Sequence, residues 1–429
     1  MAKINGLMDI GKRGMAVSQT AIQTTSHNIA NRTTEGFSRQ RVETSTSPAI
    51  DQGRYRIGTG TQLSAIQRTN NPWIEKQIER EGSQFAFYEG QSQALGRIEN
   101  ALNEQSVKGL NSSISDFFGA FRELANNPES SVPRVQVREA AINLIKTFQD
   151  TKRQIDDVGA DINKTVDLAV NEANSFASEI ADLNIKIRDI EVGGGPANDE
   201  RDRRDLLVKK LSEKLDISYA EDPKSGMLNI TAGDTGMLVA GTSAGQLKTG
   251  QDEAGNIRIY SELSKGGTRF DITDQFSKGA IGGALGMRHG VLSDMGQQLE
   301  NLAFNIAANV NRVHQEGFDR YDQSGIQFFD MPITAGQFSI NSFKLSDDIM
   351  KDVGRIAAAA KMGSPGDNAT ANVIQELQFQ PLMEGGKYSF DDFYNSKVGE
   401  IGLLTNRANS ALESQKNTLD QLKNVRESI

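Results

Sequence analysis

Cysteine is absent from this 429-residue chain. Its absence excludes disulfides, thiolate nucleophiles and cysteine-based metal sites, and leaves the redox compartment open. Tryptophan occurs once, aromatic residues make up 6% and hydrophobic residues 37%, a composition that suits helices with narrow apolar seams and much wet surface. No apolar run reaches the roughly 18 residues of a membrane-spanning helix. The N-terminus also lacks the apolar stretch and small-residue cleavage site of a Sec signal peptide. Basic residues do not prevail: 47 Lys and Arg are scattered among 56 acids, for a net charge of -9. That argues against a nucleic-acid partner, which needs a basic patch to meet phosphates, and no membrane insertion is expected.

Catalytic patterns are equally scarce. His27, His289 and His314 stand alone, with no second histidine or carboxylate at metal-ligand spacing, and read as surface or helix-packing residues. Gly193-Gly194-Gly195-Pro196 lacks the Lys and Ser/Thr of a phosphate-binding loop and follows a helical pattern, so it reads as a helix terminator. Gly266-Gly267 and Gly282-Gly283 read as turns. Asp199, Glu200, Asp202 and Asp205 alternate with Arg201, Arg203 and Arg204, which predicts solvated ion pairs on a polar helix. No Gly-x-Ser-x-Gly elbow occurs. The chain reads as a non-enzyme with no cofactor and no metal.

What the chain does have is periodicity. Apolar residues recur at near-helical spacing from Ile4 to Ile29, through Leu7, Ile10, Val17 and Ile22, but Gly6, Gly11 and Gly14 interrupt them. At about 1 kcal/mol each against alanine, these glycines make a poor lone helix that needs a partner surface. Residues 32–65 are rich in Thr, Ser and Gly and predict loop and short strands. Pro72 opens a helix through Ile74, Ile78, Leu95 and Leu102, and Leu110 to Leu124 forms a second before the Asn126-Asn127-Pro128 breaker. From Val137 to Ile190 steps of three and four continue without a break, predicting one helix of roughly 80 Å. Residues 199–215 form a short charged helix, and Ile217 to Phe276 turns β-like. Helical spacing returns from Val291 to Val313, and a last seam runs from Ile401 to Ile429 with no terminating Gly, Asn or Pro.

The fold class expected is multidomain and mainly α, with long paired helices in a coiled-coil-like rod and an inserted β-rich domain. Its parts are an N-terminal assembly helix over residues 1–35, disordered in the monomer, and a helical rod over 36–196. A β-rich outer domain follows over 197–285, a long helix over 286–317, and a mixed segment packing on the outer domain over 318–385. The remaining rod covers 386–429.

Several stretches carry a resemblance. Thr24-Thr25-Ser26-His27-Asn28-Ile29-Ala30-Asn31, followed by Thr33-Thr34-Glu35-Gly36-Phe37-Ser38-Arg39-Gln40, resembles the N-terminal signature of flagellar rod, hook and hook-associated proteins. With the Ser-Arg-Gln continuation, and with Asn198-Asp199-Glu200-Arg201-Asp202-Arg203-Arg204-Asp205-Leu206-Leu207, Val310-Asn311-Arg312-Val313-His314-Gln315-Glu316-Gly317 and Arg426-Glu427-Ser428 in order, the chain is similar to the hook-associated protein 1 (FlgK) family over nearly its whole length. The resemblance implies a structural subunit of the flagellum, exported unfolded through the type III channel without a cleaved signal and assembled as a ring at the hook-filament junction. The hook protein, the second junction protein of hook-associated protein 3 type, further copies of itself and an export chaperone would be its partners. Subunit packing would fall to Ile4, Leu7, Ile10, Val17, Ile22 and Ile29, with Asn28, Asn31 and Gly36 shaping the turn and Phe37, Ser38, Arg39 and Gln40 completing the motif. Two departures are visible: the family continues beyond Arg-Glu-Ser into a terminal helix, and its longer members carry an additional outer domain for which the β-rich middle is short. The alternatives are a hook or distal rod protein and, from another class, a secreted coiled-coil adhesin or effector.

Overall fold

The computed structural model describes residues 2–52, 54–102, 109–253, 255–262, 267–331 and 338–428, with the side chains of residues 2–5 and Gln52 also outside the description. The side chain of the expected packing residue Ile4, Gly266 of the expected Gly266-Gly267 turn and the seam end Ile429 therefore lie outside the description. The chain is mainly α with antiparallel β segments inserted, and it divides into two compact units.

The first unit comprises Met1–Gly90, Val166–Gly283 and Ala411–Ile429. Helix α1 (Ala2–Ala30) is followed by strands β1 (Gln40–Thr46), β2 (Ile50–Gln52), β3 (Tyr55–Ile57) and β4 (Thr61–Arg68). β1 pairs antiparallel with β4 from Gln40↔Arg68 to Thr46↔Thr61, and β2 pairs with β3. Helix α2 (Pro72–Leu102) starts where its proline predicts, with Asn71 Oδ1 accepting from the Trp73 N–H at 3.1 Å. Its early apolar residues Ile74 and Ile78 pack on Leu419 and Leu422 of helix α10 (Phe390–Glu427), where Gln415 also donates to the Glu81 carbonyl at 3.1 Å.

Helix α4 (Ser131–Val192) is unbroken for 62 residues and ends at Gly193-Gly194-Gly195, whose N–H groups bond back to the carbonyls of Asp189, Glu191 and Ile190. Helix α5 (Asn198–Lys214) leads into a four-stranded antiparallel sheet of β5 (Ile217–Glu221), β6 (Leu228–Ala232), β7 (Gly236–Ala240) and β8 (Ser243–Ala244), in that order. A second sheet has β10 (Ile257–Glu262) between β9 (Gln246–Gln251) and β11 (Arg269–Asp271). α4 holds both sheets through asparagine side chains: Asn174 exchanges two 2.8 Å bonds with the backbone of Leu247, and Asn184 donates to the carbonyls of Leu228 and Gly241.

Gly282-Gly283 corrects one expectation. Rather than a turn, it lies inside helix α6 (Gly279–Gly286), because Gly283 sits directly against the Phe87 backbone and any Cβ would collide with the Phe87 carbonyl. The glycine is there for close helix packing.

The second unit comprises Gln91–Thr165 and Ala284–Ser410. It gathers most of the scarce aromatics. Phe117, Phe118 and Phe121 of helix α3 (Leu110–Asn126) meet Phe328, Phe329 and Phe390, tilted or stacked at centroid distances of 5.6 to 6.0 Å, and Phe329 in turn meets Phe343 at 5.0 Å. A π-helical turn, Met287–Leu292, precedes helix α7 (Ser293–Glu316). Strands β12 (Phe329–Asp330) and β13 (Lys344–Leu345) pair, and the short helices α8 (Asp347–Lys351) and α9 (Ala369–Glu376) complete the unit. His314 on α7 is fully enclosed, its Nδ1 bonding the Ile326 carbonyl and its Nε2 accepting from the Ala357 N–H, both at 2.8 Å. Asn311, one turn earlier, takes both N–H groups of Phe328 and Phe329 on Oδ1 and donates to the Phe329 carbonyl.

Candidate functional site

Helix α1 has two faces. Ile10, Gly14, Val17, Ala21, Thr24, Asn28 and Asn31, at alternating steps of four and three, are all at least half-buried, and α1 rests on β1 and β4 with Ile10 seated on Gly60. Leu7, Ile22 and Ile29 are 71%, 67% and 71% exposed; Ile22 and Ile29 lie away from the inner row, whereas Leu7 stands on that row three residues before Ile10 and is left open there. The expected packing residues thus separate: Ile10 and Val17 face the chain's own hairpin, Ile22 and Ile29 face outward, and Leu7 stays exposed at the start of the inner row. A shallow groove on α1 is lined by Gly11, Gly14, Met15, Ser18, Gln19 and Ile22. Each large aliphatic left in water forgoes about 1.5–3 kcal/mol that burial would supply.

The signature residues form a junction at the C-terminal end of α1. Asn28 exchanges two 2.9 Å bonds with the Gln40 backbone, its amide NH2 donating to the carbonyl and its Oδ1 accepting from the N–H. Asn31 donates from Nδ2 to the His27 carbonyl and accepts from the Thr34 hydroxyl, which satisfies the end of the helix. Gly36 has a φ of 80°, and a Cβ there would stand 2.9 Å from Leu206 Cβ. Phe37 packs edge-on against the His27 ring at 5.4 Å. The Ser38 N–H donates to Asp202 Oδ2 at 2.8 Å, and Gln40 Nε2 donates to Asp199 Oδ1 at 2.7 Å. Arg39 contributes its carbonyl, which accepts from the Thr69 N–H, while its side chain is exposed.

Two stretches about 160 residues apart in sequence therefore meet, since α5 supplies Asp199, Asp202 and Leu206 to the loop around Gly36. Asn198 also donates to the Ile66 carbonyl of β4, and Arg68 Nη1 bridges Asp202 and Asp205, both at 2.8 Å. Burial raises the Asp202 carboxyl, against Arg68 and the Ser38 N–H, which lower it.

The expected solvated ion pairs on α5 need correction here. Asp202 and Arg204 are buried, and Arg204 donates to Asn184 Oδ1, the Gly226 carbonyl and Glu221. Arg201 spans Glu191 and Glu221 at 2.6 and 2.9 Å. Burial lowers the Arg204 guanidinium pKa, and Glu221 opposes that effect. The arrangement fastens α5 to α4 and to the turn before β6. A signal for it was present: Arg204, Leu207, Val208 and Leu211 follow the i, i+3, i+4, i+7 spacing of a buried helix face. Asn174 and Asn184 lie in the α4 seam without any such mark.

The carboxylates of the junction hold N–H groups and guanidinium ions in place. Among the described residues no group of three or more His, Cys, Asp or Glu is arranged to hold a metal ion, and no helix is long and apolar enough to cross a membrane.

Residues 95–329 match the family model of the flagellar hook-associated protein FlgK helical domain. The chain belongs to the FlgK family of flagellar hook-associated proteins. It is 27% identical to flagellar hook-associated protein 1 of Bacillus subtilis, over 96% of this chain and 89% of that protein. With the Escherichia coli protein of the same name it shares 23% identity over 99% of this chain and 93% of the relative. The flagellar hook junction protein FlgK from Burkholderia pseudomallei has the same fold at a TM-score of 0.73 and 14% identity, covering 82% of this chain and 100% of that one. These relatives are structural flagellar proteins.

Proposed function

We propose that this FlgK-family chain is exported unfolded through the flagellar type III channel. It then takes its place in a ring at the extracellular hook-filament junction, between the hook protein and the second junction protein, after handling by an export chaperone. The observation that carries this reading is the large apolar surface that the chain itself leaves open on α1: Ile22 and Ile29 on its outer side and Leu7 at the start of its inner row. A helix with that much exposed aliphatic surface gains most when a neighbouring subunit covers it. Ile10 and Val17 support the same face from behind by seating α1 on β1 and β4, and Ile4 continues the helix toward its start. Asn28, Asn31, Gly36, Phe37, Ser38 and Gln40 fix the direction of α1 against β1 and α5. A 62-residue uninterrupted helix resists bending along its own length, which suits an adaptor between a hook that bends and a filament that does not.

Immunogold labelling of isolated flagella tests the placement. Label confined to the hook-filament boundary is expected. Label along the whole hook or at the rod would instead indicate a hook or distal rod protein. Absence from flagella, with the chain free in the medium, would favour an adhesin or effector.

A further inference from the structure

The outer face of α1 carries two thioethers. Met8 and Met15 are 58% and 67% exposed, stand one heptad apart, and continue at the same spacing into Ile22 and Ile29. All four side chains therefore lie in one line along the helix. Gly11 and Ser18, three residues beyond each methionine, are too small to screen the sulfurs, and Met15 itself lines the groove on this face. A reduced thioether is apolar and deformable, and fits an irregular helical seam well.

We propose that Met8 and Met15 are an oxidation site within the docking face, where hydrogen peroxide turns the apolar line polar and prevents incorporation; this rests on the reading that the outer face of α1 docks on neighbouring subunits. In the step, a sulfur lone pair attacks one peroxide oxygen. The S–O bond forms as the O–O bond breaks, the proton on the attacked oxygen passes to the departing one, and water leaves. Sulfur loses two electrons to the peroxide, giving methionine sulfoxide. The sulfoxide oxygen needs a donor when buried; Ser18 and Gln19 stand beside Met15 in the groove, but the row of Met8, Met15, Ile22 and Ile29 itself supplies none, so an oxygen pressed into an apolar contact along it is left unpaired. One such unpaired oxygen lowers association by roughly tenfold to a hundredfold. Methionines of the second unit provide the contrast: Met295 and Met383 are buried, whereas Met350 and Met362 are exposed.

The test adds purified chain, untreated or treated with hydrogen peroxide, to hooks isolated from cells lacking it, with peptide mass spectrometry of every methionine. Treated wild type oxidised at Met8 and Met15 is expected to incorporate about tenfold less or worse, and methionine sulfoxide reductases should restore it. The Met8→Leu/Met15→Leu double variant should incorporate with or without peroxide, whereas Met350→Leu/Met362→Leu should stay peroxide-sensitive. Equal incorporation by oxidised and untreated wild type overturns the proposal, as does a Met8→Leu/Met15→Leu variant no less sensitive than wild type. Failure of untreated wild type to incorporate at all overturns the docking reading and this proposal with it.

Discussion

Gly36 shows how much one position in the signature carries. Its left-handed backbone and the approach of Leu206 are independent demands, so Gly36→Ala should destabilise the first unit by about 1–3 kcal/mol, with Leu206→Ala recovering only the part of the steric share that comes from the Leu206 Cγ and Cδ2, since alanine keeps the Cβ. Urea unfolding of the two single variants and the double variant measures both. Asn28 does a different job, pairing with the Gln40 backbone as a neighbouring strand would. Asn28→Asp keeps the acceptor but sets a carboxylate against the Gln40 carbonyl, and should cost about 1–3 kcal/mol in the same assay. In the second unit, burial pushes His314 down to about 4 from an ordinary 6.5, with the Ile326 carbonyl and Asp319 opposing the shift and Arg134 adding to it. The unfolded chain then binds a proton that the folded chain refuses. Stability from this residue is complete above about pH 6.5 and is lost as pH falls toward 4, by roughly 3 kcal/mol in all. His314→Gln should be less stable at pH 7 yet lose less between pH 6.5 and 4, which denaturant titrations of both proteins at the two pH values will show.

At the scale of elements, long periodic segments were legible and polar fastenings were not. The seam from Val137 to Ile190 appears as α4, Pro72 opens α2, and Gly193-Gly194-Gly195 ends a helix, because spacing and backbone restriction act locally. α5 reads as charged in sequence, but its role depends on what surrounds Arg204, and Asn184 and Glu221 come from other elements. Gly282-Gly283 joins a helix because of Phe87, some 200 residues away in sequence and invisible to local patterning. For the candidate site, apolar spacing located α1, but its division into inner and outer faces awaited β1 and β4. The energetics of α1 follow from that division. Only its inner seam and its C-terminal junction hold it to the chain, so hydrogen exchange in dilute monomer should find its amides far less protected than those of α4, with protection appearing after incorporation. Strong protection across Ile4 to Ile29 in the free monomer would show that α1 needs no neighbour.

At the scale of the whole molecule, the FlgK family membership and the outward face of α1 meet in the proposal that surface left open by the folded chain serves assembly. Ile22 tests this most directly, since it is two-thirds exposed and remote from the inner seam. Ile22→Asp should leave monomer unfolding within about 0.5 kcal/mol of wild type, while abolishing incorporation at the hook tip, as read by thermal unfolding and by immunogold counts on isolated hooks. A variant that incorporates normally, or whose monomer loses several kcal/mol of stability, would contradict the account.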